Sequence, residues 1–141
     1  MSMENVPQRR APSHPHTVDH LNAPVEYEID APRRMVIVRF GKMLKFADIV
    51  RYTDGLRADP SFQPSFAEIA DLSEVEELDL QADEFLRLAD EIDPFLPGAR
   101  RAFVARTSVQ THAARMHKIL RTQRSIEIFD SVEKAKRWIR S

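Results

Sequence analysis

Residues 66–80, FAEIADLSEVEELDL, decide how the rest of the chain is read. Phe66, Ile69, Ala70 and Leu72 form a short apolar run interrupted by Glu68 and Asp71. The run is too short for a buried helix and lies between Pro64 and Ser73, so it reads as a mostly buried parallel strand. Ser73-Glu74 ends it, Val75 and Leu78 serve as apolar plugs in a loop, and Asp79 stands ahead of a helical pattern as a candidate cap. Open α/β sheets usually place their sites where a strand's carboxyl end leads into a helix N-terminus. Ser73, Glu74, Glu76, Asp79 and Gln81 are therefore the candidate interaction surface.

On the N-terminal side, Val25–Ile29 alternates apolar Val25, Tyr27 and Ile29 with Glu26 and Glu28, which predicts an edge strand wet on one face. A turn over Asp30–Arg33 leads into MVIVRF (35–40), an apolar strand ended by Gly41. The spacing of Phe46, Ile49, Val50, Thr53 and Leu56 predicts a helix over 45–58, stopped by Asp59-Pro60. Gly55 within it implies close packing or an early end. On the C-terminal side, a second helix spans 82–92 with Phe85, Leu86, Ala89 and Ile92 inward, and Pro94, Pro97 and Gly98 stop it. A fourth strand follows over 101–106. A third helix over 111–123 turns Met116, Ile119 and Leu120 inward and Arg115, Lys118 and Arg121 outward. Ile126–Phe129 is the last strand. Asp130-Ser131-Val132-Glu133 reads as a capping box, with Asp130 the cap, opening a helix that buries Val132, Ala135, Trp138 and Ile139. The order is ββαβαβαβα, a mostly parallel mixed sheet packed with helices in the α/β class.

Composition bounds the function. With 141 residues and 43% hydrophobic content, the chain suits one domain, residues 24–141. Met1–Ala23 carries Pro7, Pro12 and Pro15 and reads as a disordered tail; a metal site from its His14, His16 and His20 is not favoured. A net charge of −1 argues against a generally basic nucleic-acid binder. Zero cysteines exclude disulfides and thiolate chemistry. Neither an apolar signal segment nor a membrane-length run is present, so the expected location is cytoplasmic. The charge is uneven: residues 68–93 hold eleven acids and one base, whereas 99–141 hold eleven bases and three acids. Such a dipole suits self-association or partner steering, and it equally suits complementary elements within one domain.

Several phrases, in order, resemble the STAS fold family, named for sulphate transporters and anti-sigma factor antagonists. They are RMVIVRFGKM (34–43), LRADPSFQPSF (56–66), IADLSEVEELDL (69–80), RRAFVA (100–105), ARMHKI (114–119) and IFDSVEKAKRWI (128–139). The subgroup they resemble is the SpoIIAA-like, or STAS/SEC14-domain, bacterial proteins, whose activity is unsettled. In the sporulation antagonist an aspartate, two serines and a glycine open the helix after the central strand, and one serine is phosphorylated. Asp79 matches the aspartate, but Leu80, Gln81 and Ala82 replace the rest, so the phosphorylation switch does not carry over.

Catalysis has little to stand on. Ser73 is the best-placed hydroxyl, and it needs a histidine, His112 or His117, brought to it in space; the favoured reading is a serine that satisfies loop backbone. The isolated glycines, Gly41, Gly55 and Gly98, rule out a P-loop or dinucleotide fingerprint. The basic face of Arg115, Lys118 and Arg121 is an alternative binding surface, and with few aromatics among the bases it does not favour nucleic acid. The expectation is a non-catalytic regulatory or protein-interaction module with no cofactor and no metal, whose partner is another protein or itself as a homodimer. The alternative is a carrier of a small hydrophobic or anionic, lipid-like ligand, which needs a pocket of roughly 300 Å3 lined by groups such as Phe46, Phe85 and Phe103.

Overall fold

The computed structural model describes residues 24–121 and 125–141; the reading of Met1–Ala23 and its histidines lies outside them. Five strands form one sheet: β1 (Val25–Asp30), β2 (Met35–Phe40), β4 (Ala67–Asp71), β6 (Arg101–Val104) and β7 (Ile126–Phe129), side by side in that order. β1 is antiparallel to β2, and every other pairing is parallel. The stretch 66–80 thus supplies the middle strand. The antiparallel hairpin turns through Arg34, whose φ of 56° is left-handed and whose N–H donates to the Ala31 carbonyl.

The strands advance across the sheet in one direction. Right-handed crossovers then place all their helices on one face. That face carries α1 (Phe46–Ala58), α2 (Ala82–Arg87) with a π-helical turn over Leu88–Ile92, and α3 (Ser108–Arg121). Beneath them lies the larger core, including Val36, Val38, Leu56, Ala70, Phe85 and Phe103. The other face is covered by α4 (Val132–Arg140), which buries Ala135 against Met35, Ile69, Ala102 and Val104. Arg100 fastens the end of α4. Its Nη1 donates to the Trp138 carbonyl at 2.6 Å, and its guanidinium lies 5.2 Å from the Trp138 ring centroid.

Several expectations need correction. Two three-residue strands, β3 (Met43–Lys45) and β5 (Glu77–Asp79), pair in parallel as a separate small sheet inside what reads as loop. Asp79 therefore lies in β5 and does not cap α2. Gln81 occupies that position, with its N–H donating to Glu84 Oε1 at 2.8 Å. In α1 the inward positions are Tyr52, Thr53 and Leu56, and Tyr52 was not read as core. In α2, Leu86 is 46% exposed, and Leu88 takes its place inside. In α3, Met116 and Leu120 pack against the core as expected, but Ile119 is 66% exposed, and the fully buried residues are Gln110, Ala113 and Ala114, small or hydrogen-bonded groups that let the helix sit close. At α4 the cap is Ser131, whose Oγ accepts from Lys134 N, while Asp130 pairs with Lys134 Nζ at 3.0 Å. Gly55 packs beneath Tyr27, where a Cβ would lie 2.5 Å from the phenol oxygen, so close packing explains it.

These assignments separate by stability. Leu88→Ala should cost about 2–5 kcal/mol in urea unfolding. Leu86→Ala and Ile119→Ala should each stay within about 0.5 kcal/mol, and a large loss at Ile119 would restore the inward reading.

Candidate functional site

The loops at the carboxyl edge of the sheet carry Ser73, Glu74, Glu76 and Asp79 of the expected surface, whereas Gln81 lines neither of the grooves there. Asp71 Oδ1 accepts from Ser73 N at 2.9 Å, turning the chain out of β4. Gln110, buried at the start of α3, pins the next residues: its Nε2 donates to the carbonyls of Ser73 (3.2 Å) and Val75 (2.9 Å). Its Oε1 accepts from Arg106 N and Thr107 N, so one side chain joins the loop after β4 to the loop after β6. The Lys42 carbonyl takes the N–H groups of Glu76 and Glu77, which starts the β3–β5 pairing. Two open grooves result, sharing Val109: one is lined by Lys42, Ser73, Glu74 and Glu76, the other by Met43, Glu77, Asp79 and His112. Met43 and Val109 are each 37% exposed. Glu74, Glu76, Glu77 and Asp79 make no ion pair among the described residues.

Ser73 meets neither candidate imidazole in a hydrogen bond among the described residues. His112 packs edge-on against Phe85, and His117 binds Asp93 at 2.8 Å. The basic face also comes apart. Arg115 is exposed and Lys118 lies 3.8 Å from Glu127, but Arg121 turns inward. Its Nη1 donates to the Ala89 carbonyl at 2.8 Å, and its Nε lies 3.6 Å from Asp93 Oδ2. Arg121 is a structural cation rather than part of an outer surface.

Beneath the helices lies a chain of buried polar groups that the sequence reading did not single out. Tyr52 donates its O–H to Glu68 Oε2 at 2.7 Å, and Arg101 Nε donates to Glu68 Oε1 at 2.9 Å. Arg101 Nη1 donates to Asp93 Oδ2 at 2.9 Å, and its guanidinium lies 4.3 Å from the Phe95 ring centroid. Asp93 reaches this position because the π-helical turn closes with its N–H on the Leu88 carbonyl, after which its Oδ1 accepts from Phe95 N. One signal was available: Glu68 and Arg101 are register partners on the adjacent strands β4 and β6, so opposite charges enter the core at one level.

Burial pushes the Asp93 carboxyl up, but the hydrogen bond from His117 and the charge of Arg101 outweigh it and hold the group well below the usual carboxylate range. Burial would lower Arg101; Glu68 and Asp93 more than offset this and raise it, so it stays charged. Burial, followed by the adjacent Glu68, pushes Tyr52 well above an ordinary phenol, so it stays neutral.

This chain borders a cavity of about 80 Å3 with apolar walls that include Leu72, Leu80, Leu88 and Phe103. Phe85 and Phe103 line it as expected, and Phe46 does not; it stacks under Arg87 instead. The volume falls short of the roughly 300 Å3 a lipid-like ligand needs. Leu80, at the place of a helix-opening serine, is partly buried against the core.

No protein-family profile matches the chain, and no curated protein shows significant similarity to it. A solved structure does. An uncharacterised protein of the DUF3478 family from Shewanella loihica PV-4, described as having a SpoIIAA-like fold, superposes with a TM-score of 0.53 at 19% identity. The match covers 74% of this chain and 83% of that one. The resemblance read from the sequence holds at the level of the fold: this is a mixed α/β domain with a SpoIIAA-like architecture.

Asp93→Asn should cost about 3–5 kcal/mol near neutral pH, because it leaves the buried Arg101 short of a counter-charge. A depressed carboxylate stabilises the fold above its unfolded pKa of about 3.9, and that contribution is lost as pH falls through the lower folded value. The gap between wild type and D93N, followed by urea unfolding from pH 6 to pH 2, should therefore narrow below about pH 4. A gap that stayed constant would remove Asp93 from this role.

Proposed function

We propose that this protein is a non-catalytic, cytoplasmic interaction module that holds a basic segment of a partner protein in the grooves of residues 73–79. The observation that carries this reading is the pairing of exposed Met43 and Val109 with four carboxylates, Glu74, Glu76, Glu77 and Asp79, that lack an internal ion pair among the described residues. An apolar centre with a charged rim is the anatomy of a protein interface: the apolar groups supply affinity, and the rim steers and selects. A segment with Lys or Arg flanking an apolar side chain complements it. Ser73 contributes loop structure rather than a nucleophile, and Leu80, Gln81 and Ala82 leave no hydroxyl at the helix start to phosphorylate. The fold of the Shewanella protein supports a module of this general kind. No helix among the described residues is long and apolar enough to cross a membrane.

Self-association belongs to the same proposal. β1 ends the sheet with Glu26 and Glu28 half-buried, and a second copy's strand can add there.

Zero-length carboxyl-to-amine coupling during native purification tests the site. Glu76 or Glu77 should be joined to lysines of one partner protein, and Glu76→Lys/Glu77→Lys should lose that partner while keeping its fold by circular dichroism. Coupling confined to other carboxylates, or a partner retained by the double variant, would move the interface elsewhere. For the homodimer, sedimentation at high concentration should show a dimer. A wild-type monomer at high concentration overturns that part.

A further inference from the structure

We infer that the core cavity beside Arg101 is a binding site for a small neutral molecule, mostly apolar and carrying one hydrogen-bond acceptor, which it seats on the Arg101 guanidinium. The inference is independent of the interaction surface, since it concerns the interior.

Arg101 is 3% exposed. Its Nε is taken by Glu68 Oε1 and its Nη1 by Asp93 Oδ2, whereas Nη2 meets no acceptor among the described residues. A buried donor without an acceptor is costly, more so on a charged group, and native interiors rarely leave one so. Arg101 also lines the cavity, so an occupant there has a donor waiting for it.

The surroundings define the occupant. Other polar groups on the wall are already engaged, the Tyr52 phenol with Glu68, the Thr53 hydroxyl with the Val50 carbonyl and His117 with Asp93, and most of the wall, such as Leu72, Leu88 and Phe103, is apolar. A water molecule needs two to four polar partners, and these walls favour a body made of carbon. A second anion would reach Arg101 only by facing both Glu68 and Asp93, which already answer its charge, with Arg121 also on Asp93. A carbonyl, ether or alcohol oxygen meets no such repulsion. Size sets the scale: an apolar cavity of about 150 Å3 takes benzene, so the 80 Å3 here takes a body of about three or four non-hydrogen atoms. Short ketones and alcohols fit that description, and acyl chains of lipid length do not.

The full chain, uniformly labelled with 15N, is titrated with acetone, its hydrocarbon isostere 2-methylpropane and the anion acetate, and amide and arginine side-chain resonances are followed by NMR. Saturable shifts are expected for acetone at amides of Ala70, Leu88 and Phe103, with Arg101 Nη moving in step. Half-saturation should come at a concentration at least about tenfold lower than for the hydrocarbon or the anion, as a hydrogen bond to a charged donor predicts. Ala113→Leu, which fills the cavity without touching the Arg101 bonds, should weaken binding at least tenfold in a folded protein. The Arg101 Nη shift in the wild type carries the test if that variant does not fold. Absence of saturable shifts, equal binding of 2-methylpropane, tighter binding of acetate, or a motionless Arg101 Nη would each overturn the inference.

Discussion

A guanidinium in an apolar interior must be answered by opposite charge, and much of the helical face of this domain is arranged around doing so. Arg101 enters from β6, Glu68 meets it from β4, and Asp93 arrives from the turn that ends the second helical segment. Tyr52 of α1 and His117 and Arg121 of α3 bind the two carboxylates from outside. All three crossover connections on that face are therefore tied to one charge. Arrangements of this sort add little net stability compared with well-packed hydrocarbon, but removing one member leaves its partner stranded. The network accordingly specifies which helix sits where, more than how tightly the whole is held.

The legible part of the fold was the part written in short, mostly apolar runs. MVIVRF, AEIAD, RAFV and IEIF each give a strand because a parallel sheet covered on both faces needs apolar side chains in both directions. The small sheet was illegible for the opposite reason. MLK and ELD are three residues each, and what makes them strands is their meeting across a gap of more than thirty positions, which local pattern does not encode. Helix faces failed where tertiary packing overrode periodicity. Ile119 satisfies an apolar spacing and yet lies outside, because alanines at 113 and 114 bring the other face of α3 against the core.

The candidate site divides along the same line. Ser73 to Gln81 could be placed at the carboxyl edge of the sheet because turn residues and carboxylates crowd the end of a recognisable strand. The buried network could not be found from residue type alone, since a charge inside and a charge outside are spelled the same. Arg100 and Arg101 are neighbours, yet one clamps α4 from the surface while the other is sealed within. Strand alternation separates them only once the direction of the sheet's faces is known.

The one-way march of strands has a cost borne by α4. Because every crossover helix went to the same side, this nine-residue segment is the one helix among the described residues that shields Ile69, Ala102 and Val104 on the reverse. Its grip depends on Arg100 holding its last turn. A proteolytic nick before Val132 would thus uncover a flat, greasy plank of parallel strands rather than simply shorten the chain, and such a plank seeks out others like itself. The last helix is the fold's guard against clumping.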